Sequence, residues 1–535
     1  MDNDVDEQKR HGFSLSSRGL TSVWAGLTIL VSACDPLTPS KQSLEEIYAD
    51  EAAYQGINPN SEQSAQRRLD FALGRIEALD RNGPKLQSVL SLNPEARKIA
   101  QSLDDEVESR GALHGVPVLI KDNIETKDMP TTAGSSVLAL NDTGRDSPLV
   151  ANLREAGAVI LGKANLSQWA NFRSTQSTSG WSALGAQTKN PHALNRSPCG
   201  SSSGSGVAVA AGLVPAAIGT ETNGSIICPS AMNGIVGFKP TVGLVPQDLI
   251  VPISSSQDTA GPMTLTVKDA AIMMDAMTGG DTVFLQAVKQ GTLSDKRIGV
   301  LEFARGSNKG VNANFDSVLQ TLEDEGATLV TIDVYEVPDG FWGAAFDVLK
   351  YEFKATLNTY LADSAKAVTA RDLSAVITET KANPTELRVF DADILEMSNE
   401  LGDLNSDGYL SALNKVQSVT RDNGLDKFIE TESLDAVIAP STAPTFLIDH
   451  IYGDNYPGGT GAGWMAAIAG YPHLTVPMGQ VKGLPVGVSF MGQAGQDKEI
   501  MAIGYAYEQA SQMRVRPKFI EAVETLPNSG TLSRD

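Results

Sequence analysis

Residues Ser197 to Pro246 read SPCGSSSGSGVAVAAGLVPAAIGTETNGSIICPSAMNGIVGFKPTVGLVP. Glycine and serine crowd its start, yet the run passes directly into the apolar Val207–Val214 and then into strand-like Ala216–Ile218 and Ile235–Phe238. A solvated Gly/Ser linker would not be embedded between buried strands. Small residues set against apolar segments predict close backbone approach, with hydroxyls aimed at one point.

To either side the same rhythm continues. Further strands are predicted at Leu86–Leu92, Val116–Ile120, Ala158–Leu161, Ile298–Leu301, Thr328–Ile332, Ala436–Ala439, Leu474–Val476 and Val486–Met491. Helical periodicity separates most of them, at Ser43–Ala52, Ser61–Asp80, Glu95–Ser109, Val267–Met277, Phe315–Glu325 and Lys498–Met513. Strands alternating with helices predict one large α/β/α layered domain around a mixed sheet. No linker or internal repeat interrupts it. The stretch 341–420 is helical and charged, and is expected to form an insert or cap on the sheet.

Composition excludes several classes. Lys+Arg 42 against Asp+Glu 64 leaves a net charge of −22, and no basic stripe exists to hold nucleic acid. Three cysteines, Cys34, Cys199 and Cys228, are too few for a disulfide scaffold or a four-thiolate zinc site. The five histidines lack ligand spacing, so no metal or other cofactor is expected. Gly157 to Lys163 has phosphate-loop spacing, but its interior AVIL reads as a strand. Asp403 to Gly408 opens like a calcium loop, but Asn414 stands where a bidentate Glu is required.

The amino terminus has a separate meaning. Leu20–Ala33 is an uncharged segment too short to span a bilayer but long enough for a signal-peptide core. Val31-Ser32-Ala33-Cys34 resembles the lipobox of bacterial lipoproteins, which implies lipid attachment at Cys34. Asp2, Asp4, Asp6 and Glu7 depart from the positive leader that such signals carry. The expected order is therefore a signal peptide over 1–33, a tether over 34–42, the layered domain over 43–520 and a tail over 521–535. Export to the periplasmic or outer face of a bacterial membrane follows, or a cytoplasmic location if the signal does not act. The lipid would be the sole membrane contact.

Two chemistries compete for the glycine–serine run. Gly200-Ser201-Ser202-Ser203-Gly204 is a literal GxSxG, which would make Ser202 the nucleophile of a hydrolase triad with His450 or His473. However, that elbow should follow a strand, and ALNRSPC is a poor one. The whole stretch instead resembles the amidase signature family. That family's pattern is a Gly/Ser run, here Cys199 to Ser205, followed by a G-S-D-T-G-G-S-type segment, here Gly219-Thr-Glu-Thr-Asn-Gly-Ser225. Gly115-Val-Pro-Val-Leu-Ile-Lys121-Asp122 matches its lysine motif. Pro130–Ser135, Gly162–Ser167, Asp258–Pro262 and Gly470–Pro472 also fit in order.

The resemblance implies roles by position. Ser225 is the expected acylated nucleophile, Lys121 the general base, and Ser201 the serine between them, preceded by a cis peptide bond. Backbone amides of Thr222, Asn223, Gly224 and Ser225 are the expected oxyanion hole, with Ser202 in support. Such a triad needs a neutral lysine, hence burial that lowers its pKa from about 10.4. Lys121 follows the apolar strand Val116–Ile120, which supplies that burial. Cys199 and Cys228 lie beside the two catalytic serines and are not required to pair.

Within the family, Asn223, Ile227 and Cys228-Pro229, continued by Pro252–Ser254 and Ser256–Met263, resemble bacterial peptide amidases. These remove the C-terminal amide of a peptide and release ammonia, so an amide or peptide amide is the expected partner. Amidases of other small aliphatic or aryl amides, an amidotransferase A-type subunit, and a non-catalytic peptide-binding lipoprotein are the alternatives. The oligomeric state is open, a monomer being the simpler expectation.

Overall fold

The computed structural model describes residues 43–58 and 62–525. The expected signal peptide and the whole tether, Cys34 included, lie outside these residues, as does most of the expected tail. Among the described residues, thirteen strands are present. They are β1 Val89–Leu92, β2 Pro117–Lys121, β3 Val159–Ala164, β4 Trp181–Ser182, β5 Ala186–Gln187, β6 Ala216–Glu221, β7 Val236–Lys239, β8 Thr259–Thr264, β9 Arg297–Leu301, β10 Thr328–Ile332, β11 Ala436–Pro440, β12 His473–Val481 and β13 Leu484–Met491. Strands β4 and β5 form a small ribbon, while the other eleven make one mixed sheet in the order β1-β3-β2-β6-β8-β7-β12-β13-β11-β9-β10.

Alternation along the strands explains the layers. In β2, Val118 and Ile120 enter one apolar cluster with Ile160, Ile218 and the helix Val267–Met277. Leu119, between them, enters a second cluster with Val159, Leu161, Ala217 and the helices Ala65–Arg75 and Ser203–Ala210. A strand buried on both faces must be apolar throughout, which is why PVLI and VIL read as continuous runs rather than alternating ones. Helices therefore cover both faces, and the layered α/β/α expectation holds.

One central strand was not expected. Strand β8, TAGPMT, pairs antiparallel with β6, setting Pro262 opposite Ile218, and also with β7. Its Gly and Pro read as turn residues, since a proline offers no N–H to a ladder. The segment 341–420 is helical as predicted, with helices Phe341–Ala362, Leu373–Ala382, Asp393–Asn399 and Asp407–Thr420. Phe353, Leu357 and Leu373 seat it on Val137, Leu138, Trp169 and Phe172, which follow β2 and β3.

The Gly/Ser run resolves into the start of the buried helix Ser203–Ala210. A Cβ at Gly204 would lie 2.2 Å from Ser88 O and 2.4 Å from Asn165 O, so only glycine lets this helix approach the sheet.

Candidate active site

Parallel neighbours end together. Strand β2 runs parallel to β6, and Lys121 and Glu221 are their last residues. The carboxyl ends of parallel strands are where α/β proteins place their ligands. There Lys121 Nζ donates to Ser201 Oγ at 2.8 Å, to Thr220 Oγ1 at 2.7 Å and to Thr220 O at 3.1 Å. Asn123 Nδ2 donates to the same Thr220 Oγ1 at 3.0 Å. Lys121 and Ser201 are wholly buried, whereas Ser225 keeps 8% exposure. Lys121 and Ser201 thus lie deepest and Ser225 nearest solvent.

Burial drives the Lys121 amine down to about 7, against the carboxylates of Asp258 and Glu221, which favour its charged form. A neighbouring lysine shows what differs. Lys163 on β3 is equally buried, but its Nζ lies 3.2 Å from Asp122 Oδ1 and donates to Ile124 O and Thr131 Oγ1, both at 2.8 Å. Among the described residues, no carboxylate forms such an ion pair with Lys121. Its partners are hydroxyls and one carbonyl, which leave the neutral amine accessible near pH 7.

The loop from Thr222 to Ser225 is tied at both ends. Glu221 Oε2 accepts from the backbone N–H of Ile226 at 2.7 Å and of Ile227 at 3.0 Å, closing a turn over Thr222 to Ser225. Thr222 Oγ1 donates to Asp258 at 2.6 Å, and Asp258 also accepts from the N–H groups of Ile253 and Ser254. Burial pushes the Asp258 carboxyl up to about 6. Gly224 adopts φ +86, a left-handed conformation, with nothing within 4 Å of where a Cβ would stand. Glycine is there for backbone conformation, not for lack of room. The peptide bond Gly200–Ser201 is cis, as the motif implied.

Ser202 takes no part in a histidine triad. Its Oγ donates to Thr220 O at 3.0 Å and accepts from Thr220 N at 3.2 Å, while its own N–H donates to Ser225 O at 3.1 Å. His473 Nε2 meets Ser489 Oγ at 2.6 Å and His450 Nε2 meets Gln187 Oε1 at 2.8 Å. Burial drives His473 down to about 3. Among the described residues, no histidine stands as a base for Ser202.

The cysteines require a correction. Cys199 and Cys228 were not required to pair, yet they form a disulfide. It joins the residue two before Ser201 to the residue three after Ser225. With Met232 and Phe446 the pair makes a small buried apolar cluster. Two cysteines flanking separate motifs carried that signal, but only the fold sets those motifs side by side.

Both serine segments line one cavity of about 580 Å³, through Gly200, Asn223, Gly224, Cys199 and Cys228. Its lining also includes Phe303, Tyr335, Trp342 and Trp464, which no motif in the sequence indicated. Thr220, Glu221 and Asp258 were likewise assigned no role, although the motifs contain or adjoin them.

The profile of the Amidase family matches residues 69–501. The chain belongs to that family. As an amidase it is a hydrolase acting on amides. It is similar to the native peptide amidase of Stenotrophomonas maltophilia, with 41% identity, 86% of this chain and 96% of that chain covered, and a TM-score of 0.80. A probable amidase of Arabidopsis thaliana is 37% identical over 83% of this chain and 87% of its own length. The A-type subunit of the glutamyl-tRNA(Gln) amidotransferase of Bacillus pumilus is 32% identical, with 84% of this amidase and 94% of that protein covered.

Proposed function

We propose that this amidase hydrolyses the C-terminal amide of peptides and releases ammonia through an acyl-enzyme on Ser225. The observation that carries the reading is the buried Lys121 amine, held 2.8 Å from Ser201 Oγ and brought down to about 7. A serine hydroxyl is a weak nucleophile until a neighbouring base takes its proton. In the neutral state Lys121 takes the Ser201 proton as Ser201 takes that of Ser225, and Ser225 Oγ bonds to the amide carbon. Backbone N–H groups from Thr222 to Ser225 bind the developing oxyanion, an interaction worth about 3 kcal/mol per donor in related chemistry. The lysine proton then returns through Ser201 to the nitrogen, the C–N bond breaks and ammonia departs. Water, deprotonated by the same relay, releases the acid and restores Ser225.

The peptide-amide assignment is supported by Asn223 beside the nucleophile and by the likeness to the Stenotrophomonas peptide amidase. It is tested by measuring ammonia released from peptide amides, simple aliphatic amides and free peptides. The expected result is release from peptide amides, with no cleavage of internal bonds. Turnover surviving in Ser225→Ala but lost in Ser202→Ala would sink the assignment of the nucleophile.

We also propose that the chain is exported and held by lipid at Cys34. Two features support this: the Leu20–Cys34 pattern and the Cys199–Cys228 disulfide, a bond that persists in oxidising compartments. Incorporation of labelled fatty acid in the intact chain and its loss in Cys34→Ala is the expected outcome.

A further inference from the structure

The cavity beside Ser225 has walls of opposite chemistry. On one side Trp342 and Trp464 meet edge to face at 5.0 Å, and Trp464 continues to Tyr335 at 6.3 Å. Tyr335 in turn lies 5.7 Å from Phe303. These four rings come from four separate places: Phe303 follows β9, Tyr335 follows β10, Trp342 opens the helix Phe341–Ala362, and Trp464 lies on the helix Gly463–Ala469. All four line the cavity that Asn223 and Gly224 also line.

Ordinary core packing does not account for Trp342. Its neighbour Phe341 is wholly buried, but Trp342 is 55% exposed. An indole left that open at the mouth of a cavity offers apolar area and a ring face that the protein itself does not cover.

A second set of lining residues is polar and incompletely satisfied. Asn171 donates through Nδ2 to Ser179 Oγ at 3.0 Å, while its buried Oδ1 has no partner. Among the described residues, the Asp454 carboxylate accepts only from Ser179, through N–H at 2.9 Å and Oγ at 2.5 Å, leaving further lone pairs. Both residues line the cavity. Acceptors without donors suit the N–H groups of a peptide backbone. A peptide lying with its backbone on this wall has its side chain left for the rings.

We propose that the aromatic wall selects the side chain of the amidated residue, so that the preferred substrates are peptide amides ending in an aromatic or large apolar residue. The inference rests on the peptide-amide reading above. It also assigns a role to the helical insert, which contributes Trp342. Hydrophobic pockets discriminate between apolar groups by about 10–200-fold, and the Trp342 ring forms one face of this one.

The test compares kcat/KM for ammonia release from acetyl-Ala-Phe-NH2 and acetyl-Ala-Gly-NH2. The wild type is expected to favour the phenylalanine amide by about tenfold or more. Trp342→Ala should bring that ratio to within about threefold, mainly through KM, and Trp342→Phe should restore most of it. A ratio read on the enzyme that remains active does not depend on how much variant folds, and the exposed indole makes truncation tolerable. Should Trp342→Ala express no active enzyme at all, the ratio is read on Trp342→Leu, which keeps apolar bulk but no ring; an unchanged ratio there overturns the inference. Equal turnover of both amides by the wild type, or an unchanged ratio in Trp342→Ala, overturns it as well. Release of ammonia from neither amide overturns the peptide-amide reading and this inference together, whereas release without preference overturns the inference alone.

Discussion

Lys121, Ser201 and Ser225, whose neighbours Gly200 and Gly224 line the cavity, make one part of the site, its floor, and the lining rings Phe303, Tyr335, Trp342 and Trp464 make another, its wall. The floor comes from short motifs at the ends of adjacent strands, its residues buried and its segments tied by hydrogen bonds. The wall comes from four distant places, its rings partly exposed and held by tilted and edge-to-face contacts. Bond-making requires fixed distances and a desolvated amine, which demand rigid neighbours. Recognition of a side chain requires only apolar area in roughly the right place. On the proposed mechanism the floor determines whether any amide is hydrolysed, and the wall determines which.

Breaking the floor should cost most. Ser225→Ala is expected to lower kcat on every amide by on the order of 10⁴-fold or more, with no acyl-enzyme by intact mass. Lys121→Ala should fall by a similar factor, and the double variant should be little worse than either, because the residues act as a unit. Comparable residual turnover in the double variant and a sum of separate losses are readily distinguished by steady-state kinetics.

The floor also sets the pH dependence. Lys121 acts as base only when neutral, so kcat/KM should rise with pH through about 7 and level off above it. The Asp258 carboxylate favours the charged amine, so Asp258→Asn should move this midpoint to lower pH. A profile flat across that range, or a shift in the opposite direction, would separate Lys121 from the proton transfer.

The disulfide joins two parts of the floor and should matter for stability more than for chemistry. Its 29-residue separation predicts a loss of about 3.6 kcal/mol in the Cys199→Ser/Cys228→Ser variant. Denaturant unfolding under non-reducing conditions measures it. A variant as stable as the wild type would show that backbone hydrogen bonds alone hold the two serine segments together.

The smallest effect belongs to the wall. Tyr335 Oη donates to Val419 O at 2.5 Å, linking the wall to the helix Asp407–Thr420 of the insert. Tyr335→Phe should cost about 1 kcal/mol of stability. Its kinetic trace should be a raised KM for the phenylalanine amide, since the ring remains but its support loosens. A fall in kcat of floor-like size would erase the distinction between the two regions.

Much of this was legible in the linear chain. Lys121, Ser201 and Ser225 stand in motifs whose residue types have few other uses together, and Val116–Ile120 announces the burial that Lys121 needs. The strands on either side were readable from apolar runs. Strand β8 was not, because Gly261 and Pro262 argue locally for a turn, and only pairing with β6 and β7 overrides them. The Cys199–Cys228 bond was not, because sequence separation does not report distance. Trp342 and Trp464 were not, since a tryptophan near a helix start is more often packing than recognition.

The sequence by itself determined the layered fold and the family, and singled out Lys121, Ser201 and Ser225, because short motifs and apolar periodicity act locally. Tertiary structure alone set the surroundings of the two buried lysines. Lys121 and Lys163 are equally buried on adjacent strands, and only the fold puts a carboxylate beside one and serine and threonine hydroxyls beside the other. It also decided the shape of the substrate wall, because rings from four segments become one surface only when the sheet and its helical insert are assembled.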